Sequence, residues 1–599
     1  MKVLIVGGTA ELVLVADVLQ KAGSTIYLEK DADAEFDVLV WSSEASELSL
    51  ERLLEGVSVD LICDIAGGRD MCADDGPALS EFDLQAATGL VDTTGFPDGP
   101  STRSRVPYIA VSTALYAATL ITAAFMQGFR GRIDVSRFVA AAFSLTTFLP
   151  AALQGTSVSR IGNAHPASSP WNSYPTRDGW ILICTSKDDQ WNRLCDVAKR
   201  AELSDDKFRI QADRVRLRDQ LDNALASWTS TKTTQQCADA LIAAGVPVGP
   251  ITPVDELASE ENVQTRQPNL VKAVRDGASP SELLEAVALY KDEPTSARPQ
   301  PTPLALNAAS HELLLRGLKV VEIGQFTAVP LAGRHLAHMG ADVLKIEQPG
   351  GEAARSWAPL LDGVSHYYTI SNSGKRVVEL DFKSADDLAW LKNEISQADV
   401  FIENLRPGVL AKFGLGLNEL FELKTSIVAC SVSGFGAETA YPGRAAFDTV
   451  VQGMSGIMDV TRSEGRPVKM GISVADILGA QVALFGIING LLQGGGRFID
   501  VAMQDVSVYA ALAANAGLTD TMTTVPVRSV LDLANSQKFA DHCLTRIRDQ
   551  SGVFRASVRM PYALREFSLE ERQGGAGLKP DIISGRSSQL IGRSVRTDR

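Results

Sequence analysis

The order of apolar and polar positions divides the start of the chain into strand, turn and helix segments. Residues 1–30, MKVLIVGGTAELVLVADVLQKAGSTIYLEK, predict an apolar strand, a glycine-containing turn, an amphipathic helix and a second strand. The stretch from Leu318, LKVVEIGQFTAVPLAGRHLAHMGADVLKIE, predicts the same order. Because strands that alternate with helices are typical of parallel sheets, we expect an α/β fold built from Rossmann-like large domains.

Two further pairs of segments match in the same order along the chain. EFDLQAATGLVDTTGFPDGP from Glu81 resembles AFDTVVQGMSGIMDVTRSEGRP from Ala446, and GFRGRIDVS resembles GGGRFIDVA. Shared strand–turn–helix architecture could explain one such pair, but three ordered pairs indicate a tandem duplication. The first copy is the shorter one, and it lacks mainly the stretch YYTISNSGKRVVELDFKS of the second.

Changes in composition suggest where the domains begin and end. RIGNAHPASSPWNSYPTRDGWILI is rich in turn residues before an aromatic strand, and SARPQPTPLALNAAS is a proline-stiffened linker. We expect a first large domain at 1–155, a smaller α+β domain at 156–300, a linker at 301–316 and a second large domain at 317–515. Residues 516–599 are expected to form a truncated C-terminal segment with a loose tail rich in Gly, Ser and Arg.

Composition narrows the class of protein. A chain of 599 residues with 45% hydrophobic and 22% charged residues suits a multidomain globular protein. The net charge of -15 argues against a protein that coats nucleic acid. Seven scattered cysteines without a CxxC pair suit a reducing cytosol, and VSTALYAATLITAAFMQG is interpreted as a buried helix. We therefore expect a cytoplasmic protein with neither a membrane nor a nucleic-acid partner.

Two motifs that suggest cofactors are weak. VLIVGGTA follows the pattern of a dinucleotide-binding turn but lacks the third glycine, so an architectural role is favoured. Among six histidines only His335 and His338 are close, and no acidic residue completes a metal site beside them. We predict no metal site.

The second copy has the denser set of polar signals. ENLRPGVLAKFGLG places Asn404, Arg406 and Lys412 around a turn that leads into a helix, and NSGKRVVELD places Lys375 and Arg376 before a strand. Backbone amides at a helix start together with cations can bind phosphate. Ordinary solvated surface charge explains each cluster equally well.

Asp476 is the only charged residue between Lys469 and Arg497, and it lies at the start of an apolar helix. An aspartate there could be a helix cap. It could also be a positioned nucleophile, because carboxylates form covalent acyl intermediates. The local sequence leaves both roles open.

Several motifs together resemble the class III coenzyme A-transferase (CaiB/BaiF-like) family, which includes formyl-CoA and carnitine CoA transferases and α-methylacyl-CoA racemases. In the second copy they are GADVLKIEQPGGEAARSW, NSGKRVVELDFKS, ADVFIENLRPGVLAKFGL, VADILGA and GGRFIDVAMQD. RIGNAHPASSPWNSYPTRDGWILI and AGVPVGPI resemble the small domain of that family. The resemblance covers nearly all of residues 1–515.

The resemblance implies a catalytic role for Asp476, which would attack the thioester of an acyl-CoA and form an aspartyl mixed anhydride. CoA would then pass to an acceptor carboxylic acid, so CoA is a substrate and no cofactor is tightly bound. Lys412 stands where the family usually has arginine. The coenzyme A loops of the family correspond to Gln325, Phe326, Thr327, Ala328, Pro330, Glu347, Arg355, Lys375, Arg376, Asn404, Leu405, Lys412 and Phe413.

Three other functions stay open for a protein with this fold. The racemase branch has a histidine as partner base where this chain has Phe447, so racemase chemistry is disfavoured. An acyl-CoA lyase and a non-catalytic CoA-binding protein remain alternatives.

Comparison of the copies predicts a single active site. Aligning SRVPYIAVSTALYAATL with VKMGISVADILGAQVAL places Ser112 opposite Asp476, and the first copy has VLVWSSEASE where the second has VFIENLRPGV. Because chains of the family interlock in pairs, we expect this chain to form an interlocked pseudo-dimer within itself. Further association into a homodimer is left open.

Overall fold

The computed structural model describes residues 1–28, 34–46, 48–67, 79–158, 160–203, 205–295, 313–444, 446–518, 525–548 and 553–566. The expected linker lies outside the described residues except for 313–316. The part of the expected tail beyond residue 566 lies outside them as well.

The first large unit is a parallel sheet covered by helices. Its strands are β1 (Lys2–Ile5), β2 (Thr25–Tyr27), β3 (Ala34–Trp41), β4 (Val57–Ala66) and β5 (Gly131–Ser136). Its helices are α1 (Ala10–Lys21), α2 (Leu50–Leu54), α3 (Glu81–Ala87), α4 (Tyr108–Met126), α5 (Arg137–Phe143) and α6 (Leu149–Ala152). Continuous apolar runs such as Val3–Ile5 form these strands because both faces of the sheet are buried.

The small unit has its own core. It contains an antiparallel sheet of β6 (Trp171–Pro175), β7 (Trp180–Cys184) and β8 (Val248–Pro250). Its helices are α7 (Asp188–Ala198), α8 (Gln211–Arg216), α9 (Arg218–Thr229) and α10 (Thr234–Ala243). Trp191, Trp228 and Leu241 lie in this core, which extends from Tyr174 to Val248.

The chain then returns to the large units before residue 300. This segment contains α11 (Glu261–Arg266), α12 (Pro268–Arg275), α13 (Pro280–Glu285) and β9 (Lys291–Pro294). Leu270 and Leu284 belong to the main core and not to that of the small unit. The compact small unit is therefore shorter than the expected range of 156–300.

The second large unit repeats the first with additions. Its strands are β10 (Lys319–Ile323), β11 (Asp342–Glu347), β12 (Leu360–Leu361), β13 (Val364–Ser365), β14 (Arg376–Glu379), β15 (Val400–Glu403), β16 (Val428–Ser433), β17 (Arg462–Ser463), β18 (Arg466–Pro467) and β19 (Arg497–Ala502). Its helices are α14 (Ala328–His338), α15 (His366–Asn372), α16 (Ala385–Gln397), α17 (Leu417–Leu423), α18 (Asp448–Met454), α19 (Ile457–Val460), α20 (Val474–Leu492) and α21 (Met503–Ala513). After it come α22 (Val530–Ala534), α23 (Gln537–Cys543), β20 (Leu544–Arg548), β21 (Phe554–Val558) and β22 (Tyr562–Glu566).

Strand order and register support the duplication. The sheets run β2-β1-β3-β4-β5-β22 and β14-β11-β10-β15-β16-β19-β9. Val3 pairs with Val38 in the first sheet as Val320 pairs with Val400 in the second. Most of the extra length of the second copy lies between β11 and β15, where it adds β14 to the sheet edge.

The two large units exchange their last strands. β9 follows the first unit and its small domain, yet it pairs antiparallel with β19 of the second unit. β22 follows the second unit, yet it pairs antiparallel with β5 of the first. The chain therefore has the α/β architecture with parallel sheets, a smaller α+β unit and an interlocked pair of large units that the sequence predicted.

The C-terminal segment needs a correction. Two equivalent hydrogen bonds show this. The amide of Arg528 donates to the carbonyl of Ala86 in the first copy at 3.0 Å, and the amide of Thr252 donates to the carbonyl of Gly453 in the second copy at 2.9 Å. Residues 526–566 are thus the counterpart of 250–294, and they are folded where they are described. What the second copy lost is its small domain.

Two helices lie at the centre of the pseudo-dimer. α4 and α20 are long and apolar enough, by length and composition alone, to cross a membrane. Their most apolar windows are 89% and 94% buried in the protein. They pack against each other, and the side-chain amide of Gln481 donates to the hydroxyl of Ser112 at 2.8 Å. The prediction of a buried helix at α4 is confirmed.

Candidate active site

A crevice lies at the carboxyl edge of the second parallel sheet. β10 lies between β11 and β15, so the residues that follow these strands meet there. The amide of Gln325 donates to the side chain of Asn404 at 2.9 Å, and the Asn404 side chain donates back to the Gln325 carbonyl at 2.8 Å. Ligands of open α/β sheets bind at such an edge.

The turn between β10 and α14 has an unusual backbone. Phe326 has a left-handed φ of 67°, a conformation that costs about 1–3 kcal/mol and tends to persist at functional sites. Its ring is 41% exposed and stacks on Trp357, with centroids 5.4 Å apart. Ala328 and Pro330 are buried in the first turn of α14. The turn therefore presents an aromatic surface to the crevice.

Asp476 lies in the first turn of α20 and is half-buried. Burial raises the pKa of its carboxyl group well above the usual value, and the neighbouring carboxylate of Asp448 adds to this effect. A hydrogen bond from the hydroxyl of Thr327 acts in the opposite direction. That hydroxyl is also 2.5 Å from the hydroxyl of Tyr367. A weakly solvated carboxylate held in this way can serve as a nucleophile.

Asp448 has a structural task in this arrangement. Its carboxylate accepts from the amide of Ala475 at 2.8 Å and from the side chain of Gln452 at 2.7 Å. In the first copy Glu81 accepts from the amides of Ile109 and Ala110, both at 3.0 Å. Because a carboxylate binds the helix start in both copies, we assign Asp448 to holding the N-terminus of α20.

The structural counterpart of Asp476 is Ala110. The amide of Val474 donates to Ile472 at 2.9 Å, as that of Tyr108 donates to Val106 at 2.8 Å, so the two helices start at equivalent residues. The pairing of Ser112 with Asp476 was therefore wrong by two positions. Alanine has no nucleophile, so the first copy still lacks one at this place.

Glu347 anchors part of the coenzyme A loops expected from the sequence. Its carboxylate accepts from the guanidinium of Arg355 at 2.6 Å and from the hydroxyl of Tyr368 at 2.5 Å. Burial works to raise the pKa of Glu347, but these two hydrogen bonds hold it below its usual value. The Arg355 guanidinium also lies 4.3 Å from the centroid of the Tyr368 ring.

The side chains of Lys375 and Arg376 point away from the crevice. The ammonium of Lys375 is completely buried and donates to Glu322, to the carbonyl of Pro330 and to the side chain of Asn372. Burial lowers its pKa to about 8. Arg376 starts β14 at the amino edge of the sheet and forms two hydrogen bonds with Asp342. The structure therefore does not bring these two cations to the expected phosphate site.

The remaining loop residues follow β15. Lys412 is exposed in a short 3-10 helix, and Phe413 packs its ring on Phe382 with centroids 5.4 Å apart. The amide of Leu405 donates to Glu403 at 2.7 Å. Burial raises the pKa of Glu403 to about 7. Lys412 is therefore an exposed cation on the segment that follows β15.

The small unit covers Asp448 and the approach to α20. The indole N–H of Trp171 donates to the hydroxyl of Thr449 at 3.3 Å, and the Trp171 ring lies 4.8 Å from that of Phe447. The side chain of Asn163 accepts from the amide of Lys469 at 2.7 Å. Of the two central helices, α4 and α20, only α20 carries an aspartate, and the small domain lies beside it.

The sequence model of CoA-transferase family III matches residues 74–307 and 315–545. The chain belongs to CoA-transferase family III. Two separate matches agree with the duplicated fold.

Two curated proteins and one solved structure are similar to part of this chain. A succinate–glutarate CoA-transferase of Agrobacterium fabrum is 39% identical over 214 residues, which cover 34% of this chain and 53% of that protein. The human succinyl-CoA:glutarate CoA-transferase is 34% identical over 210 residues, which cover 34% of this chain and 48% of that protein. The chain spans about half the length of the curated relatives it matches. A crystal structure of a CaiB/BaiF family protein from Brucella suis is 35% identical, with a TM-score of 0.32, and covers 33% of this chain and 55% of that chain.

Several residues of this family III site were not predicted from the sequence. They come from distant parts of the chain, and no local spacing connects them. They are Asn163, Trp171, Trp357, Tyr367, Asp448 and Lys469. Within the described residues, no group of three or more His, Cys, Asp or Glu side chains could hold a metal ion.

Gly471 is where the first copy contacts the segment before α20. A Cβ atom at this position would lie 2.0 Å from the carbonyl oxygen of Thr93, and the Gly471 amide donates to the hydroxyl of Thr94 at 3.0 Å. We expect Gly471→Ala to displace the segment before α20 and lower kcat/KM by about 10- to 100-fold, since small misplacements of reacting groups are costly. Steady-state kinetics test this. Gly8→Ala is the control for a change of the same kind, because a Cβ atom at that position would have nothing within 4 Å of it and the Gly8 backbone is not left-handed; equal losses in both variants would contradict the expectation.

Proposed function

We propose that this chain transfers CoA from an acyl-CoA donor to a carboxylic acid through covalent intermediates on Asp476. One observation carries the proposal. Asp476 occupies the start of α20 beside the small domain, whereas the equivalent position of the first copy is Ala110. A half-buried carboxylate with a raised pKa beside a crevice fits a reactive group better than a solvated surface charge.

The proposed reaction has four balanced steps. The carboxylate of Asp476 attacks the thioester carbonyl, the C–S bond breaks, and CoA thiolate leaves an aspartyl mixed anhydride. The thiolate then attacks the Asp476 carbonyl, giving an aspartyl-CoA thioester and the free donor acid. An acceptor carboxylate attacks this thioester and forms a second anhydride with release of the thiolate. Attack of the thiolate on the acceptor carbonyl yields the new acyl-CoA and restores Asp476.

The names of relatives suggest the class of acid. Relatives are named for succinyl, glutarate, mesaconate and citramalate groups, all of which carry two carboxyl groups. We propose that this chain also acts on dicarboxylic acids and their CoA thioesters. Phe447, in place of a second base, does not favour a racemase.

Trapping of the acyl-enzyme tests the proposal. Purified protein is incubated with succinyl-CoA and then with hydroxylamine, and its peptides are examined by mass spectrometry. We expect up to one aspartyl hydroxamate per chain, at Asp476, because only one copy has the nucleophile. Modification at Ser112, two equivalents per chain, or no CoA release from any acyl-CoA of a broad panel would contradict it.

A further inference from the structure

Lys469 is a cation at the boundary between the small unit and the second large unit. Lys469 is half-buried on the segment that leads into α20. Its ammonium forms no hydrogen bond or ion pair with any residue that the structure describes. The completely buried Lys345 and Lys375, by contrast, bind carboxylates directly. A desolvated ammonium without a counter-ion is costly, so its place suggests an anionic ligand.

The groups around Lys469 leave it available. Burial lowers the pKa of Lys469, and the carboxylate of Asp448 opposes this effect. Asp448 forms no ion pair with it, because its oxygens bind the start of α20 and Gln452. The Cys184 thiol, whose pKa burial raises above the range that would give a thiolate, is the other titratable neighbour on the small unit.

His165 offers an uncharged hydrogen-bond donor close enough to Lys469 for the lysine charge to affect its pKa. Its Nδ1 accepts from the amide of Ala167 at 3.1 Å, which assigns the proton to Nε2. Its ring packs at a tilt against that of Trp171, with centroids 4.8 Å apart. Burial lowers its pKa to about 4, and the charges of Lys469 and Arg218 contribute. At neutral pH it is therefore uncharged and does not need a counter-ion of its own.

The segment that carries Lys469 is fixed relative to Asp476. Its amide donates to Asn163, while the next amide, of Met470, donates to the side chain of Gln452 at 2.9 Å. Gln452 also binds Asp448, whose carboxylate holds the amide of Ala475. The Lys469 ammonium and the Asp476 carboxyl group are therefore both close enough to Asp448 for its charge to affect their pKa, and one hydrogen-bonded unit joins their two segments.

We propose that Lys469, assisted by the Nε2–H of His165, binds the free carboxylate of a dicarboxylic acyl group whose thioester carbonyl faces Asp476. This inference rests on the proposed function and assigns its acyl specificity. A charge-assisted hydrogen bond in a half-buried cleft favours a terminal carboxylate over a terminal methyl group. Lys469 is then a specificity residue that takes no part in the covalent steps.

Two donors of equal chain length test the inference. Succinyl-CoA and butyryl-CoA have four-carbon acyl chains and differ at the far end, where one has a carboxylate and the other a methyl group. We expect Lys469→Met to lower the succinyl-to-butyryl ratio of kcat/KM, measured for CoA transfer to one fixed acceptor acid, by about 10- to 100-fold. Most of the loss should appear in KM for succinyl-CoA, while butyryl-CoA turnover, which reports on the fold and on Asp476, stays near the parent value.

Two further variants separate charge from structure. Lys469→Arg keeps the positive charge and should retain at least a tenth of the parent ratio. Arg462→Met removes an exposed cation of the hairpin just before Lys469 that pairs with Asp459, and it should leave the ratio unchanged. Equal losses for both donors in Lys469→Met, or an unchanged ratio, would overturn the role of Lys469 alone. A parent protein that transfers CoA from no acyl-CoA of the broad panel would overturn the proposed function and the inference together.

Discussion

Asp476→Asn is expected to abolish acyl-enzyme formation and to lower kcat/KM by about 10³- to 10⁶-fold, the range seen when a covalent nucleophile is removed. Asparagine has nearly the same shape, but its amide cannot form the anhydride. The measurement is CoA transfer from succinyl-CoA to an acceptor acid, together with hydroxamate yield.

The fold should tolerate this change. Asp476 forms no ion pair with any described residue, and the amide of Ala475 is held by Asp448 and not by Asp476. We expect the thermal unfolding midpoint to match that of the parent within a few degrees. Asp476→Glu is the second variant, since it keeps the carboxylate but moves it by one methylene group. Full turnover in Asp476→Asn would exclude this residue as the nucleophile.

Arg266→Met is expected to be the most destabilising of the proposed substitutions, lowering the free energy of unfolding by about 3–5 kcal/mol. Arg266 lies on α11, after the small unit, and is buried within the second large unit. Its guanidinium binds Asp500 at 2.7 Å and Asp505 at 2.8 Å, and both carboxylates are almost completely buried. Without Arg266, two buried carboxylates lose their counter-ion. Urea unfolding followed by circular dichroism measures the effect.

Two further variants test whether the loss of stability comes from the unpaired carboxylates. Arg216→Met removes an exposed arginine that pairs with Asp213, and such pairs contribute about 0–1 kcal/mol. Adding Asp500→Asn and Asp505→Asn to Arg266→Met removes the unpaired charges and should recover part of the loss. A loss for Arg266→Met no larger than that for Arg216→Met would contradict a structural role for this ion-pair cluster.

The sequence predicted the duplication, because strands and turns keep recognisable patterns in both copies. It misaligned the central helices, because α4 and α20 are apolar almost throughout and their few polar residues do not stand at matching positions. The shared FD dipeptide also misled, since Glu81, and not Asp83, performs the task of Asp448. Glu81 and Asp448 are different residue types at positions that the sequence does not align, so their shared role is seen from their hydrogen bonds in the structure.

The candidate site could be predicted only in part, because some of its contacts follow from the strand order and others depend on residues far apart in the sequence. Gln325 and Asn404 follow buried strands, so their meeting at the sheet edge follows from parallel topology. The inward direction of Lys375 depends on Glu322, more than fifty residues earlier, and no local pattern indicates it. The folded C-terminal segment was missed because the small domain that should precede it is absent.

The exchange of β9 and β22 has a consequence for how the two halves associate. In a dimer of separate chains, such an exchange is lost on dilution, since its equilibrium depends on protein concentration. Here both exchanged strands belong to one polypeptide, so their pairing is intramolecular and has a fixed effective concentration. The first copy is thereby a permanent partner for the second, which explains how a single chain can keep a two-subunit architecture.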